Sequence, residues 1–339
     1  MAATIRDIAK VAGVSVATVS KVLNGYTTVS KATRENVMRI VTDMQFRPNT
    51  AARSLVGRRS MTLGVFLTTG LAHPFFVSLL GGIDEALKAK GYDLIYLSQL
   101  SAHPDYNFVQ HCLSRNVEGV LVFGFQRDQM NFEELLNAGI PTIFIDLDRT
   151  GSRAGYISSD NAKAIVQAVG YLKELNHRRI AFITGIPGSY TGERRFAGFL
   201  QGLSDYGLPH RPEYIAEGDF SRESGYAAMQ RLLALPERPS AVVCCSDMSA
   251  FGAMDAIRDA GLSVPGDISV IGFDDIEAAG NVRPALTTVR QDMYAIGRTA
   301  IELLDKLIVD PVQPSPEVII PTELVVRETC RPMQPEAGE

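Results

Sequence analysis

The chain of 339 residues contains no tryptophan, only four cysteines and only five histidines, and each scarcity removes a class of function. Cys112, Cys244, Cys245 and Cys330 have no metal-ligand spacing, and the adjacent Cys244 and Cys245 end an apolar run, where small buried core residues are expected. His73, His103, His111, His177 and His210 are scattered without a Ser-His-Asp order, and the run from Gly185 to Gly192 lacks the spacing of a dinucleotide loop. Nothing supplies an acid, a base and a nucleophile together, so no catalysis, cofactor or metal is expected. No run approaches about 18 uninterrupted apolar residues. The first residues, Met-Ala-Ala-Thr-Ile-Arg-Asp, have neither a basic stretch nor an apolar one after it, so the expected location is the cytoplasm, without a membrane partner. Repeats and low-complexity tracts are absent, and the tail after Arg331 has no leucine heptads to build a higher oligomer.

What is present divides sharply by charge. Residues 1–59 hold ten Lys or Arg against three Asp or Glu, a balance of +7 that leaves −12 for the rest of a chain whose net charge is −5. A small basic head on a larger acidic body suits a module that contacts phosphates, joined to a body that discourages non-specific adhesion to DNA.

Within the head, Thr4 and Asp7 form a capping-box-like pair before Ile5, Ile8, Ala9 and Ala12, which share one helical face. Gly13 permits a tight turn. Ser15 is placed to cap a second helix whose Val19, Val22 and Leu23 point inward, leaving Val16, Ala17 and Lys21 on the outer face near its start. That pattern predicts a helix-turn-helix with an exposed recognition helix. Ser15, Thr18 and Ser20 carry hydroxyls suited to phosphate oxygens, although Thr18 and Ser20 serve equally as capping or back-bonding residues. Val16 and Ala17 offer methyl groups to a thymine methyl, and Lys21 can donate to guanine O6 or N7. Ser30 caps a third helix to about Met44, Pro48 stops it, and Asn49 caps a short helix from Thr50 to Val56 that is too brief to persist alone.

From Met61 onward, short β-rich runs alternate with helical stretches: 63–67, 93–97, 119–123, 142–146, 179–184, 241–245 and 269–273, with helices near 75–90, 161–175, 192–206, 223–235, 248–260 and 293–309. The alternation predicts parallel sheets with helices on both faces, and about 270 residues of it exceed one ordinary sheet, which implies two lobes. Asp146 and Asp274 close apolar strand runs, where ligands of open α/β sheets bind, although each is equally placed to cap a following helix.

The motifs Val14-Ser-Val-Ala-Thr-Val-Ser-Lys-Val-Leu-Asn24, Arg47-Pro-Asn-Thr-Ala-Ala-Arg-Ser-Leu55 and Glu323-Leu-Val-Val-Arg-Glu-Thr-Cys330 resemble those of the LacI/GalR transcriptional regulators, in that family's order along essentially the whole chain. The resemblance implies an α/β core of two doubly wound lobes, like a periplasmic binding protein, with a small all-α helix-turn-helix head. Its divisions would be a DNA-binding domain at 1–47, a hinge helix and linker at 48–59, an effector-binding core at 60–331 and a frayed tail at 332–339. One lobe would comprise about 61–159 and 290–320, and the other about 160–289 and 321–331, joined by three crossovers.

By the same resemblance the DNA-contacting set is Thr4, Ser15, Val16, Ala17, Thr18, Ser20, Lys21, Asn24, Asn49, Ala52, Arg53 and Leu55. Leu55 from two subunits would lever open a central base step in the minor groove, whereas on residue chemistry alone it suits a contact with the core. A homodimer on a palindromic operator in double-stranded DNA follows. The effector-contacting set is Phe75, Phe76, Asp146, Asp160, Arg195, Phe220, Ser246, Asp247, Asp274 and Gln291. Carboxylates and a guanidinium there would grip vicinal hydroxyls while Phe220 offers an apolar face. Read alone, Arg195 equally suits an exposed helix face. Many sugar-binding relatives carry Trp at the Phe220 position, which leaves a sugar or sugar acid as the first expectation and a purine-type ligand as the second. Release of DNA by the effector and co-repression both remain open. A solute-binding receptor is opposed by the missing leader and the basic head, and an enzyme by the missing catalytic set.

Overall fold

The computed structural model describes residues 3–23, 26–46, 59–67, 74–98, 106–124 and 132–333, without the side chains of Phe75 and Phe132. The expected hinge helix at 50–56, with Asn24, Asn49, Ala52, Arg53 and Leu55, lies outside them. Met1–Ser60 and Met61–Glu339 form separate compact units.

In the first unit, α1 (Ile5–Ala12), α2 (Val16–Leu23) and α3 (Lys31–Asp43) surround a small core of Ile8, Ala9, Val19, Val22, Val37 and Ile40. The capping box forms: Thr4 N donates to Asp7 Oδ2 at 2.9 Å, and Asp7 N donates to Thr4 Oγ1 at 3.3 Å. Gly13 adopts φ 67°, a left-handed conformation that ends α1 and turns the chain into α2 without a Cβ penalty. Ser15 caps α2, accepting from Thr18 N at 3.1 Å, and Ser30 caps α3, accepting from Thr33 N at 3.2 Å.

The second unit is built on two six-stranded sheets. Strands β1 (Thr62–Leu67), β2 (Asp93–Tyr96), β3 (Gly119–Phe123), β4 (Thr142–Ile145) and β5 (Ala154–Ser159) belong to the first. Strands β6 (Ile180–Ile183), β7 (Ile215–Ala216), β8 (Ala241–Cys244), β9 (Ser269–Asp274) and β10 (Thr287–Gln291) belong to the second. The chain then returns, adding β11 (Glu317–Ile320) to the first sheet and β12 (Thr322–Val325) to the second. Strand order is 11-5-4-3-1-2 in one sheet and 12-10-9-8-6-7 in the other, so the two share one topology. All pairings are parallel except β10 with β12. The chain changes sheets at Asp160, after Gln291 and at Pro321.

Strands buried on both faces read as continuous apolar runs, which is why β1, β3, β4, β6, β8 and β9 were legible. Strands β5, β7, β10, β11 and β12 were not expected. In β5, Ala-Gly-Tyr-Ile-Ser-Ser has weak intrinsic β-propensity, and pairing to β4 and β11 overrides it. Three short helices, Phe108–Ser114, Phe132–Asn137 and Glu277–Asn281, also lie outside the expected set, being under two full turns each. Cys112, Cys244 and Cys245 are buried core residues without disulfides, and burial pushes the Cys112 and Cys245 thiols up to about 12.

Each lobe packs helices in close pairs where glycine removes the side chain. A Cβ on Gly82, in helix Phe75–Lys90, would collide with the Tyr294 carbonyl of helix Met293–Val309, and one on Gly297 would collide with the Leu79 carbonyl. The second lobe repeats the device. Gly225, in helix Arg222–Leu233, faces the Ser249 carbonyl, and Gly252, in helix Asp247–Asp259, faces that of Arg222. Substituting either Gly82 or Gly252 with Ala is expected to destabilise the protein by about 1–3 kcal/mol in urea unfolding, because the backbones must separate. Gly280→Ala, with nothing within 4 Å of its would-be Cβ, is the control expected to stay within about 0.5 kcal/mol.

Candidate functional site

In the first unit, α2 presents Val16, Ala17 and Lys21 to solvent while Val19 and Val22 are buried, so the start of the second helix is an exposed reading face. The hydroxyls around it are partly committed. Ser15 Oγ lies 2.9 Å from Thr18 Oγ1, so this pair closes the helix cap as well as facing outward. Thr4 Oγ1 donates its proton to Asp7 Oδ2 at 2.7 Å, which makes Thr4 a holder of the α1 N-terminus with no hydroxyl proton left for a phosphate. Ser20 is half-buried on α2.

In the second unit, the expected effector residues gather at the carboxyl ends of the strands, the rim where open α/β sheets take their ligands. Arg195, on helix Tyr190–Asp205, is only 4% exposed, which replaces the picture of a solvent-facing helix arginine. Its Nε donates to Asn161 Oδ1 at 2.7 Å, its Nη1 donates to the Cys245 carbonyl and lies 3.9 Å from Asp274 Oδ1, and its guanidinium stacks 3.6 Å from the Phe273 ring centroid. Asp274 Oδ1 in turn accepts from Gln291 Nε2 at 2.7 Å. Gln291 Oε1 is buried with no hydrogen-bond partner among the described residues.

Asp146 ends β4 and faces the same guanidinium from the first lobe; its Oδ1 accepts from Ser158 Oγ at 2.6 Å. Burial raises the Asp146 carboxyl above its ordinary range, opposed by the Ser158 hydrogen bond and by Arg195. For Asp274 burial is again the largest cause, opposed by Arg195 and Gln291 and reinforced by Asp146, and it is pushed up to about 6. Neither carboxylate caps a helix.

Phe220 stands at the mouth of β7 with its ring laid across Gly185, where a Cβ would collide with the ring. Its φ of 71° is unusual for a bulky residue, and Asp146 (φ 57°) and Asp274 (φ 121°) are also left-handed. Such conformations cost of order 1–3 kcal/mol each and persist where the surroundings over-determine them. Here Ser246 Oγ donates to the Phe220 carbonyl at 2.8 Å, and Arg290 and Arg327 clamp Asp275 at 2.7 and 2.6 Å, next to Asp274.

Other expected residues take supporting places. Asp160 caps helix Asn161–Glu174 by accepting from Lys163 N at 3.4 Å, and Ser246 caps helix Asp247–Asp259. Asp247 is fully buried, accepting from Thr288 Oγ1 at 2.5 Å and Ile276 N at 2.9 Å beneath Gly272, and burial holds its carboxyl well above the usual range. It braces β9 and β10. Phe76 is 1% exposed and meets Phe123 edge to face at 5.1 Å, so it is core of the first lobe. The side chain of Phe75 lies outside the described residues. Residues not anticipated include Ser158, Asn161, Gly185 and Thr288, as well as Arg194, 3.9 Å from Asp148 across the two lobes. Only Gly185, ending an apolar run, carried a visible signal.

Two family profiles match the chain: bacterial regulatory proteins, lacI family, at residues 4–49, and the periplasmic binding protein-like domain at residues 169–330. The chain is similar, at 33% identity covering 97% of it and 98% of the relative, to the probable HTH-type transcriptional repressor ExuR of Bacillus subtilis (strain 168). It is 35% identical to the ribose operon repressor of Haemophilus influenzae (strain ATCC 51907 / DSM 11121 / KW20 / Rd), covering 96% of the chain and 98% of that protein. Among solved structures, the lac repressor dimer bound to operator and the anti-inducer ONPF matches with a TM-score of 0.85 at 29% identity, covering 98% of this chain and 100% of that one.

The raised Asp274 carboxyl gives the cleft a pH signature. Empty, it passes from neutral to ionised between about pH 5 and pH 7, and the ionised form is the stronger acceptor for ligand hydroxyls. A neutral polyhydroxylated ligand is therefore expected to bind about tenfold more weakly at pH 5 than at pH 7 in calorimetric titration, and Asp274→Asn to flatten that dependence. An unchanged dissociation constant across this range in the parent protein would exclude Asp274 as an acceptor.

Proposed function

Because this chain belongs to the lacI family of bacterial regulatory proteins and is a ligand-responsive, DNA-binding transcriptional regulator, we propose that it represses a carbohydrate-catabolic operon and is released by a sugar or sugar acid. The observation that carries the effector assignment is the buried Arg195 flanked by Asp146 and Asp274, beside the Phe220 ring laid on Gly185. Acceptors, a guanidinium and an apolar plate at one strand-end rim complement vicinal hydroxyls and the apolar face of a sugar ring. Gln291 Oε1, buried and without a hydrogen-bond partner among the described residues, would be a further acceptor in this scheme.

The proposed divisions are a DNA-binding domain at 1–47, a hinge and linker at 48–59 and an effector core at 60–331, whose lobes exchange chain near 160, 290 and 320. Two copies act together. Val16, Ala17 and Lys21 of each read one half of a palindromic site, and Leu55 of each enters the minor groove between the halves. Closure of the cleft on its effector changes the spacing of the two hinge segments, which are too short to stay helical unless paired, and the minor-groove contacts are forfeited. The protein acts in the cytoplasm and performs no catalysis in this scheme. No helix among the described residues is long and apolar enough to cross a membrane.

Footprinting on DNA from its own operon, with a panel of neutral sugars, sugar acids and purine bases, tests this. A discrete palindromic footprint that a sugar or sugar acid removes is expected. Absence of any discrete palindromic site at physiological salt would overturn the operator assignment; a footprint that strengthens with ligand, or that responds to purines alone, would replace release by a sugar. Lys21→Ala is expected to cost about 1–3 kcal/mol at one symmetric pair of base positions and to relax the sequence preference there.

A further inference from the structure

The polar groups of the cleft form one unbroken chain from the first lobe to the second, and its middle link sits on the crossover between them. Asp146 accepts from Ser158 Oγ at 2.6 Å; Ser158 Oγ accepts from Asn161 Nδ2 at 3.2 Å; Asn161 Oδ1 accepts from Arg195 Nε at 2.7 Å. Arg195 then faces Asp274 at 3.9 Å, and Asp274 accepts from Gln291, the last residue of β10 at the second crossover. Asn161 Nδ2 also donates to the Ser159 carbonyl at 3.0 Å. Ser158 and Ser159 end β5 in the first sheet, whereas Asn161 opens the helix that packs on the second.

The side chain of Asn161 is 3% exposed, with both amide protons and its oxygen engaged. The residue type is dictated by that inventory. An aspartate has no proton for Ser158 or for the Ser159 carbonyl, a leucine has neither donor nor acceptor, and a buried Arg195 Nε without an acceptor is costly.

We propose that Asn161 is a positioning residue that fixes the angle between the two lobes, by joining the carboxylate of Asp146, through Ser158, to the guanidinium of Arg195 across the first crossover. A ligand that takes up either Asp146 or Arg195 thereby acts on the bonds that set the hinge, so occupancy and lobe angle change together. The inference rests on the cleft being the effector site, but its test does not require the effector. Asn161 is not among the expected effector-contacting residues; it orients Arg195, which is, and through Ser158 also Asp146.

The experiment places spin labels on the full-length protein at Glu133→Cys in the first lobe and Gln201→Cys in the second, both exposed, in a Cys330→Ser background, and reads interlobe distances without ligand. The parent is expected to give one narrow distribution. Ser158→Ala, which keeps the Arg195 acceptor, and Asn161→Asp, which also keeps it but loses both donors, are each expected to broaden the distribution about twofold, and the combined variant to be no broader than either. Asn161→Ala, which also releases Arg195, is expected to broaden it further. Unchanged widths in the folded Ser158→Ala and Asn161→Asp proteins, or widths that add in the combination, would overturn the proposal. A purely structural role would lower the melting temperature and leave the widths alone. Repeating the parent measurement with a panel of sugars and sugar acids separates the two readings: broadened variants beside a parent that none of them shifts would support the relay while counting against the effector assignment.

Discussion

A single buried guanidinium organises the cleft. Moving an ion from water into a protein interior costs several kcal/mol even after relaxation, so Arg195 is tolerable only where acceptors and opposite charge meet it on several sides. The second lobe supplies the Cys245 carbonyl and Asp274, the crossover supplies Asn161, and the first lobe supplies Asp146. Those partners sit on four different segments, which has a consequence for the backbone. Asp146 and Asp274 reach inward from strand ends only by entering left-handed conformations that L-residues disfavour. The left-handed backbone at these two strand ends thus accompanies the buried charge at the centre.

The scaffold that bears this load is the same unit used twice. In each sheet the strand order doubles back beside the first strand of the lobe, and loops leaving the carboxyl ends diverge to open a crevice. Helices must then cover the sheets closely enough that the strand ends do not shift. Glycines at Gly82, Gly297, Gly225 and Gly252 let helix backbones meet where any Cβ would hold them apart. Close packing at a distance thus limits the play at the cleft, because packed cores transmit displacement instead of absorbing it.

What was legible in the sequence followed burial. Gly119 to Phe123 and Ser269 to Phe273 announced themselves as strands because both faces are covered, so every residue had to be apolar or small. Ala154 to Ser159 is equally buried, yet it carries Gly155, over which Pro316 lies, and Ser158, whose hydroxyl serves Asp146, and those local needs erased the strand signature. The site divides in the same way. Asp146 and Asp274 could be singled out because charged residues ending apolar runs stand out, and Arg195 only through the family resemblance. Ser158, Asn161 and Thr288 could not, because a small polar residue at a strand end reads as a helix cap until its partner, dozens of residues away in two of the pairs, is known. Phe76 and Asp247 show the converse. Each lies next to a strand-end loop, and each turned inward because the core, or a neighbouring strand pair, offered a better partner than the cleft.

The absence of tryptophan acquires a definite meaning in this frame. The apolar plate is the Phe220 ring, and three things hold it: the left-handed backbone at Phe220, the Ser246 hydroxyl on its carbonyl and the bare face of Gly185 beneath the ring. A plate so constrained offers area but little choice, since adding or removing a methylene against an apolar wall changes binding by only about 1–3 kcal/mol. A site built to hydrogen-bond a hydroxyl rejects the analogue lacking it by far more, because the buried polar group is then left without a partner. In the proposed sugar site, selectivity would reside in Asp146, Arg195 and Asp274, which answer to the pattern of hydroxyls on a ligand more than to the size of its ring.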